Sequence, residues 1–277
     1  MLHFGSYDPT GFAGVSSGRA GVAKAFTTAA GPATIHLART APGEICARAW
    51  GAGAEVALRA APALCGVLDD PARFEPRTPD LARRFSAQKG LRFVQVPWVF
   101  DALVQVIFQQ RVRFVDAARA YRSVVKRHAA KAPGPFDLLV ALPAKVWLDL
   151  PPHELSALGV DKKRIDAIRH AARLARHVEK LAGTTDYAEA RRVLSLFPGV
   201  GPWTAETFLD QALGDADAVA TGDVHLPRVV CTALEAPSEK GRRYDDARML
   251  ELLAPWSGQR ARVVRLLMSD EGKTRQI

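Results

Sequence analysis

A chain of 277 residues suffices for one large domain or two modest ones, and its 48% hydrophobic and 24% charged residues are ordinary for a globular protein. That composition excludes disorder as the main state. No uncharged apolar run reaches the ~18 residues of a membrane span, so no membrane contact is expected. Cys46, Cys65 and Cys231 are odd in number and far apart, and none forms a C-x-x-C. A disulfide framework, a zinc site and a cysteine-held cluster therefore have no support. The first residues lack a basic region followed by a long apolar run, so a secretory signal is not expected and a cytoplasmic location is. The formal charge of +9 points weakly to a polyanionic partner, since solvated basic faces also occur in proteins that bind nothing.

Residues 1–32 are rich in Gly, Ala and Ser and show little period. Ala33–Ala38 and Ile45–Trp50 read as short strands, Gly51–Ala54 as a turn and Glu55–Val67 as a helix. From Pro97 the pattern turns helical, with Phe100, Leu103, Val104 and Ile107 on one face. A break near Gln109–Arg113 precedes a second helix, whose apolar side carries Ala117, Tyr121, Val124 and Val125, and Pro133–Pro135 ends it. Leu138–Leu148 and Pro151–Leu158 read as short helices, and 161–180 as one basic amphipathic helix. Asp186, with Glu189 three residues on, forms a capping box for the next helix. Pro255 to Met268 supplies a late one. The expected fold is mainly α, with a smaller α+β domain over 1–92 and an all-α domain over 93–277.

The charge is local. Residues 111–131 hold seven basic residues against Asp116, and 162–180 hold seven against Asp166 and Glu179. In contrast, 203–223 has no Lys or Arg and five carboxylates. Basic faces beside an acidic stretch suit a surface that grips phosphates around a different kind of centre. Faces that are merely solvated are the alternative.

The most informative stretch is Leu196-Phe-Pro-Gly-Val-Gly-Pro-Trp-Thr-Ala205. A helix runs into a Pro-Gly-x-Gly turn, and a second helix starts at once with Pro202 at its first position. Gly214 ends that helix. Gly199 and Gly201 free the backbone, so the turn amides and helix N–H groups can meet a phosphate. An ordinary helix hairpin, with glycine only for turning, is the other reading.

These residues, with Gly222-Asp-Val-His-Leu226 about twenty residues beyond Trp203, resemble the helix–hairpin–helix DNA glycosylase superfamily. Within it they are most similar to the bacterial 3-methyladenine DNA glycosylase II family. Val99–Val112 resembles its first core helix and Gln-containing loop, Ala157–Ile165 its middle segment, and Pro255-Trp256 its C-terminal end. The resemblance implies a helix–hairpin–helix core and, over residues 1–90, an α+β domain like half of a TATA-binding fold. It also implies a monofunctional enzyme of base excision repair that flips an alkylated base out of DNA and hydrolyses its N-glycosidic bond. The expected partner is double-stranded DNA with damaged bases, bound by a monomer. A glycosylase for a deaminated or oxidised base is one alternative, and a non-catalytic binder of damaged DNA another.

The superfamily places an Asp a short loop after the hairpin, and Asp223 matches it. An anion there stabilises an oxocarbenium-like transition state and can orient or deprotonate the attacking water. Val224, Leu226 and Pro227 are expected to keep its surroundings dry. Helix capping is the alternative for Asp223, while Asp210, Asp215 and Asp217 read as solvated. Trp203 is expected to floor the base pocket, or to be a core residue, with Thr207 and Arg265 at positions where aromatics are expected. Trp256 reads as a packing residue. The resemblance assigns DNA binding to Gly199, Val200, Gly201, Thr204, Gln110, Arg111, Lys162 and Lys163. Arg111 stands where a wedge residue would enter the duplex, or contacts a phosphate. His225 is expected to be structural, held to nearby backbone. A monovalent cation held by the carbonyls of Ser195, Phe197 and Val200 is implied, and no other cofactor. Bifunctional members carry a Lys at the position of Trp203, and no Lys occurs from 181 to 239. Lyase chemistry through a core lysine is therefore not expected. With a single Cys after residue 65, an iron–sulfur cluster is not expected either.

Overall fold

A computed structural model of the chain describes residues 15–18, 21–88, 90–235 and 244–269. Four strands, β1 (Val15–Gly18), β2 (Gly21–Thr28), β3 (Gly31–Ala41) and β4 (Glu44–Trp50), form an antiparallel sheet in sequence order. The two strands read from sequence are β3 and β4. β2 falls within the stretch read as patternless, and the rest of that stretch lies largely outside the described residues. Its pattern is erased by burial on both faces. Val22 and Phe26 join the main core, while Ala23 and Ala25 pack under Leu138 in the loop that follows the second core helix. Strands covered on both sides lose the alternation that marks a half-exposed strand.

Helix α1 (Ala54–Leu64) lies on the sheet and buries Ala57, Ala61 and Leu64. Helix α2 (Pro79–Ala87) is capped by the Thr78 hydroxyl. Its Leu81 joins Phe74 and Leu91 in a second core built mostly from C-terminal residues. The central helix α3 (Val99–Phe108) is buried at nearly every position. Packing on all sides explains its apolar sequence. Lys24 of β2 meets Asp101 of α3 at 3.8 Å, both buried, so the sheet and the helical core are joined by charge as well as by apolar packing. Helix α4 (Phe114–His128) buries Ala117, Tyr121, Val124 and Val125, the face read from sequence.

The stretch Leu138–Leu148 is helical only at its end. Leu138 to Leu142 run extended, Lys131 pairs with Leu139, and helix α5 spans Ala144–Asp149. Pro143 forces that order, because a proline disfavours helix in the residue before it. Helix α6 (Pro152–Ser156) follows. The single basic helix expected over 161–180 breaks at Leu174 into α7 (Lys162–Arg173) and α8 (Ala175–Glu179). Helices α9 (Tyr187–Ser195) and α10 (Pro202–Phe208) form the hairpin, and α10 runs on into one π-helical turn, Leu209–Leu213. Gly214 ends it in the left-handed conformation, at φ 70°. Helices α11 (Leu226–Leu234) and α12 (Asp246–Leu253) were not read from sequence, and α13 (Arg260–Met268) is the late helix, starting five residues beyond Pro255. None of the helices among the described residues is long and apolar enough to cross a membrane.

Candidate active site

The hairpin is built as its sequence suggests, with two differences. Asp186 caps α9 by accepting the Glu189 N–H at 2.9 Å. The reciprocal half of the capping box is not formed: the Glu189 side chain binds Arg192, and the Asp186 N–H donates to Thr184. In the turn, Gly199 has φ 87°, and a Cβ there would lie 2.5 Å from Ala167 Cβ on α7. Glycine is thus required both by the backbone and by the close approach of α7. Gly201 is different. Its backbone is extended, at φ −92° and ψ −179°, which any residue adopts. A Cβ there would meet nothing, so this glycine clears space in front of the first turn of α10 instead of permitting a turn.

Gln110, at the end of the loop from α3, donates through Nε2 to Gly199 O at 2.8 Å and to Thr204 Oγ1 at 2.9 Å. The Gln110 side-chain amide and the buried Thr204 hydroxyl are therefore joined to each other, and they clamp that loop to the hairpin. The next residue, Arg111, is exposed and holds φ 57°, the one positive φ outside glycine among the described residues. Such a conformation in an Arg costs about 1–2 kcal/mol and marks a backbone held by its surroundings.

Behind the hairpin lies a cavity of about 90 Å³, lined among others by Trp203, Thr207 and Asp210 of α10 and its π turn, by Asp223, and by Arg265 of α13. The structure thus brings Trp203, Thr207, Arg265 and Asp223 to one place. Trp203 is half-buried, with its ring against the main core. Its Nε1 donates to Asp223 Oδ2 at 3.0 Å. Asp223 Oδ1 accepts the N–H groups of His225 at 2.8 Å and Leu226 at 2.9 Å, at the start of α11. Asp223 thus holds the first N–H groups at the start of α11, as the capping alternative has it, and does so from within the cavity wall. His225 is exposed and contributes its main-chain N–H. Val224 is 86% exposed and gives Asp223 no shelter, contrary to the sequence expectation, whereas Leu226 and Pro227 are buried. Adjacent residues at the entry to a helix point in different directions, so apolar composition alone did not show which one shields the carboxylate.

The other three carboxylates, read from sequence as solvated, are each paired with an arginine. Asp210 binds Arg265 Nη2 at 2.8 Å, Asp215 binds Arg191 at 2.7 Å and Asp217 binds Arg260 Nε at 2.8 Å. Arg191 also holds Glu206, a cavity residue, through two bonds of 2.7 and 2.8 Å. Burial pushes the Asp210 and Asp215 carboxyls above the usual range, against the pull of their arginines. Burial also raises Asp217, but Arg260 and backbone N–H groups hold it below. These arginines lie 24 to 55 residues away along the chain, so no local pattern could have paired them. Glu206 and Asp210 in the cavity wall were likewise not singled out as site residues. Their only sequence signal is the helical spacing from Trp203.

Lys162 and Lys163 are exposed at the first turn of α7, and Lys162 binds Asp166 at 2.6 Å. Arg164, counted among the basic residues of that helix, is buried and holds Phe108 O and Gly159 O. Trp256 is buried, with Nε1 on Glu75 O at 2.9 Å. Phe197 O accepts the Val200 N–H at 3.0 Å, which places two of the three carbonyl-bearing residues of the expected cation site within one tight turn.

A glycine-turned helix hairpin, a cavity beside it and a carboxylate just before the next helix make up the candidate site. No protein-family model matches the chain. The chain is similar in sequence to DNA-3-methyladenine glycosylase 2 of Escherichia coli, 31% identical over 135 residues, which are 46% of either chain. It thus spans less than half the length of that relative. In fold it is similar to the 3-methyladenine DNA glycosylase of Archaeoglobus fulgidus, with a TM-score of 0.73 and 18% identity over 93% of this chain and 89% of the other. It is also similar to the 8-oxoguanine glycosylase/lyase of Clostridium acetobutylicum solved with double-stranded DNA, with a TM-score of 0.64 and 12% identity over 94% and 99% of the two chains. The chain has the helix–hairpin–helix glycosylase fold, and in sequence it resembles the 3-methyladenine glycosylases of that superfamily.

Proposed function

We propose that the chain is a monofunctional DNA glycosylase that removes alkylated bases by hydrolysis. The observation that carries this reading is Asp223: a carboxylate in the cavity wall, held by three N–H donors, one of them Trp203 Nε1. The open N-terminus of α10, beside Gly201, is suited to a DNA phosphate. Arg111 fills the gap left in the base stack when a nucleotide is flipped, and Trp203 stacks on the base, a cation–π contact if the base is alkylated. As the N-glycosidic bond breaks, its electron pair leaves with the base and the sugar becomes positively charged. The Asp223 carboxylate stabilises that charge, orients the water that adds to it and takes up the proton that water loses. An alkylated purine already carries positive charge and leaves without a strong acid. The carbonyls of Ser195, Phe197 and Val200 would hold a monovalent cation, adding positive charge where a phosphate docks. With Trp203 in the lysine position, the product is an intact abasic strand.

The test is release of base from alkylated duplex DNA. Asp223→Asn keeps the capping oxygen and loses the charge. We expect it to lower release about 10²–10³-fold, with DNA affinity within about tenfold and only a small fall in melting temperature, because the amide NH2 cannot accept from Trp203 Nε1. Activity retained in Asp223→Asn but lost in Asp210→Asn places the chemistry on another carboxylate. Absence of release by the unaltered chain, with binding retained, makes it a binder of damaged DNA.

A further inference from the structure

The main chain that carries Asp223 is held by a second acidic residue. Asp246 is the first residue of α12, and its Oδ2 accepts the Gly222 N–H at 2.8 Å. Gly222 turns the chain in the left-handed conformation, at φ 83°, and a Cβ there would meet nothing within 4 Å. Glycine is thus required at this position by the backbone alone. Just before it, the Thr221 N–H donates to Val219 O at 2.8 Å, so the approach to Gly222 is a tight turn. Capping does not account for Asp246. Asp245 caps α12, its Oδ1 accepting the Arg248 N–H at 3.0 Å. A first-turn carboxylate also favours its helix when solvated; this one is turned inward, onto the loop before Asp223. Its Oδ1 is buried and has no hydrogen-bond partner among the described residues. A buried acceptor without a donor is costly. Stability of α12 therefore gives no account of this orientation, whereas the bond to Gly222 does.

We propose that Asp246 is a positioning residue for base release: by fixing the Thr221–Gly222 peptide it sets the direction in which the Asp223 carboxylate enters the cavity wall. The inference rests on the glycosylase reading above and adds a residue to its machinery. Three helices then share the placement of Asp223. Helix α10 holds Oδ2 through Trp203, the start of α11 holds Oδ1 through the His225 and Leu226 N–H groups, and α12 holds the peptide one residue before it. Val224 and His225 are exposed, so burial of these two does not fix the loop. Gly222 is the softest hinge the chain can carry, because no Cβ restricts its dihedrals. With the tether cut, rotation at Gly222 swings the carboxylate away from its working position. A carboxylate that stabilises a developing positive charge acts through its distance to that charge, so a misplacement of about 1 Å can cost on the order of 10²-fold in rate. DNA affinity resides in the hairpin and the basic faces and is not carried by this loop.

The experiment uses the full chain. Single-turnover release from alkylated duplex DNA is measured for the unaltered chain, Asp246→Ala, Asp246→Asn and Asp245→Ala. Binding is measured separately on a duplex with an uncleavable tetrahydrofuran abasic site. Asp246→Ala should release base about 10–100-fold more slowly, with affinity within about threefold. Asp246→Asn keeps an acceptor for the Gly222 N–H and should recover most of that rate. Asp245→Ala removes the cap of α12, so it should lower the melting temperature and leave the rate. If Asp246→Ala fails to fold, Asp246→Glu serves: it keeps a negative charge in the first turn, moves the acceptor by one methylene and should lose release likewise. The second readout is hydrogen exchange of the Trp203 indole N–H, which donates to Asp223 and is assigned with Trp203→Phe. Exchange should speed up about tenfold in Asp246→Ala and stay unchanged in Asp245→Ala. An unchanged rate or unchanged indole exchange in Asp246→Ala, an equal loss of release in Asp245→Ala, or an Asp246→Asn as slow as Asp246→Ala overturns the proposal. If the unaltered chain releases no base, the glycosylase reading falls, and the indole arm still decides whether Asp246 holds Asp223 in place.

Discussion

Two neighbouring regions carry the carboxylates of the site, and they use them in opposite ways. Between 206 and 217, Glu206, Asp210, Asp215 and Asp217 are each bound by an arginine, and their charge is balanced within the protein. A few residues on, Asp223 accepts N–H groups from an indole and two backbone amides, with no cation among those donors. Neutral donors orient a carboxylate without cancelling its charge. The first region therefore acts as a scaffold, joining α9, α10 and α13 around the cavity. The second leaves Asp223 in the cavity wall without a cationic group among those donors. Counting acidic residues along 203–223 could not have separated the two uses.

The sharpest break of this contrast removes a scaffold carboxylate. Asp215→Ala removes a buried carboxylate and leaves Arg191, about one-third exposed, with Glu206 alone. It should cost about 2–4 kcal/mol, read as a fall in the urea midpoint. A comparable loss for Asp223→Asn would erase the distinction.

The hairpin glycines sharpen it next. Gly199→Ala must hold φ 87° and push α7 away through Ala167, so it should destabilise by about 2–4 kcal/mol. Gly201→Ala meets nothing and should stay within about 0.5 kcal/mol in thermal unfolding while weakening DNA binding. Equal effects of the two on stability would return both to simple turn residues.

Trp203→Phe keeps an aromatic floor and removes the indole donor to Asp223. Base release should fall about tenfold, in line with one hydrogen bond to a charged group, with little change in DNA affinity. An unchanged rate would detach the platform from the carboxylate.

The smallest effect concerns the basic faces. If about 4–6 phosphates are contacted, log K for duplex DNA should fall with log salt at a slope of about −4 to −5. Replacing Lys162 and Lys163 together should reduce the slope by up to about two units. Arg164, buried against Phe108 O and Gly159 O, should act on stability instead.

Much of this molecule follows from the sequence alone. The α3 and α4 faces, the hairpin with its proline start and the Gly214 stop are local patterns, and backbone geometry within a few residues determines them. The Gln110 loop, the position of Arg111 and the choice of Asp223 come from the family resemblance. The chain's own chemistry could not reveal β2, because burial on both faces removes the period that marks a strand. Nor could it show the break at Leu174 or the pairing of Asp210, Asp215 and Asp217 with arginines far along the chain. Those depend on which surfaces meet. Long-range contacts decide whether a charged side chain is solvated, neutralised or left with its charge. Only the folded molecule therefore separates Asp223 from its acidic neighbours, and only there does Asp246 meet the loop that carries it.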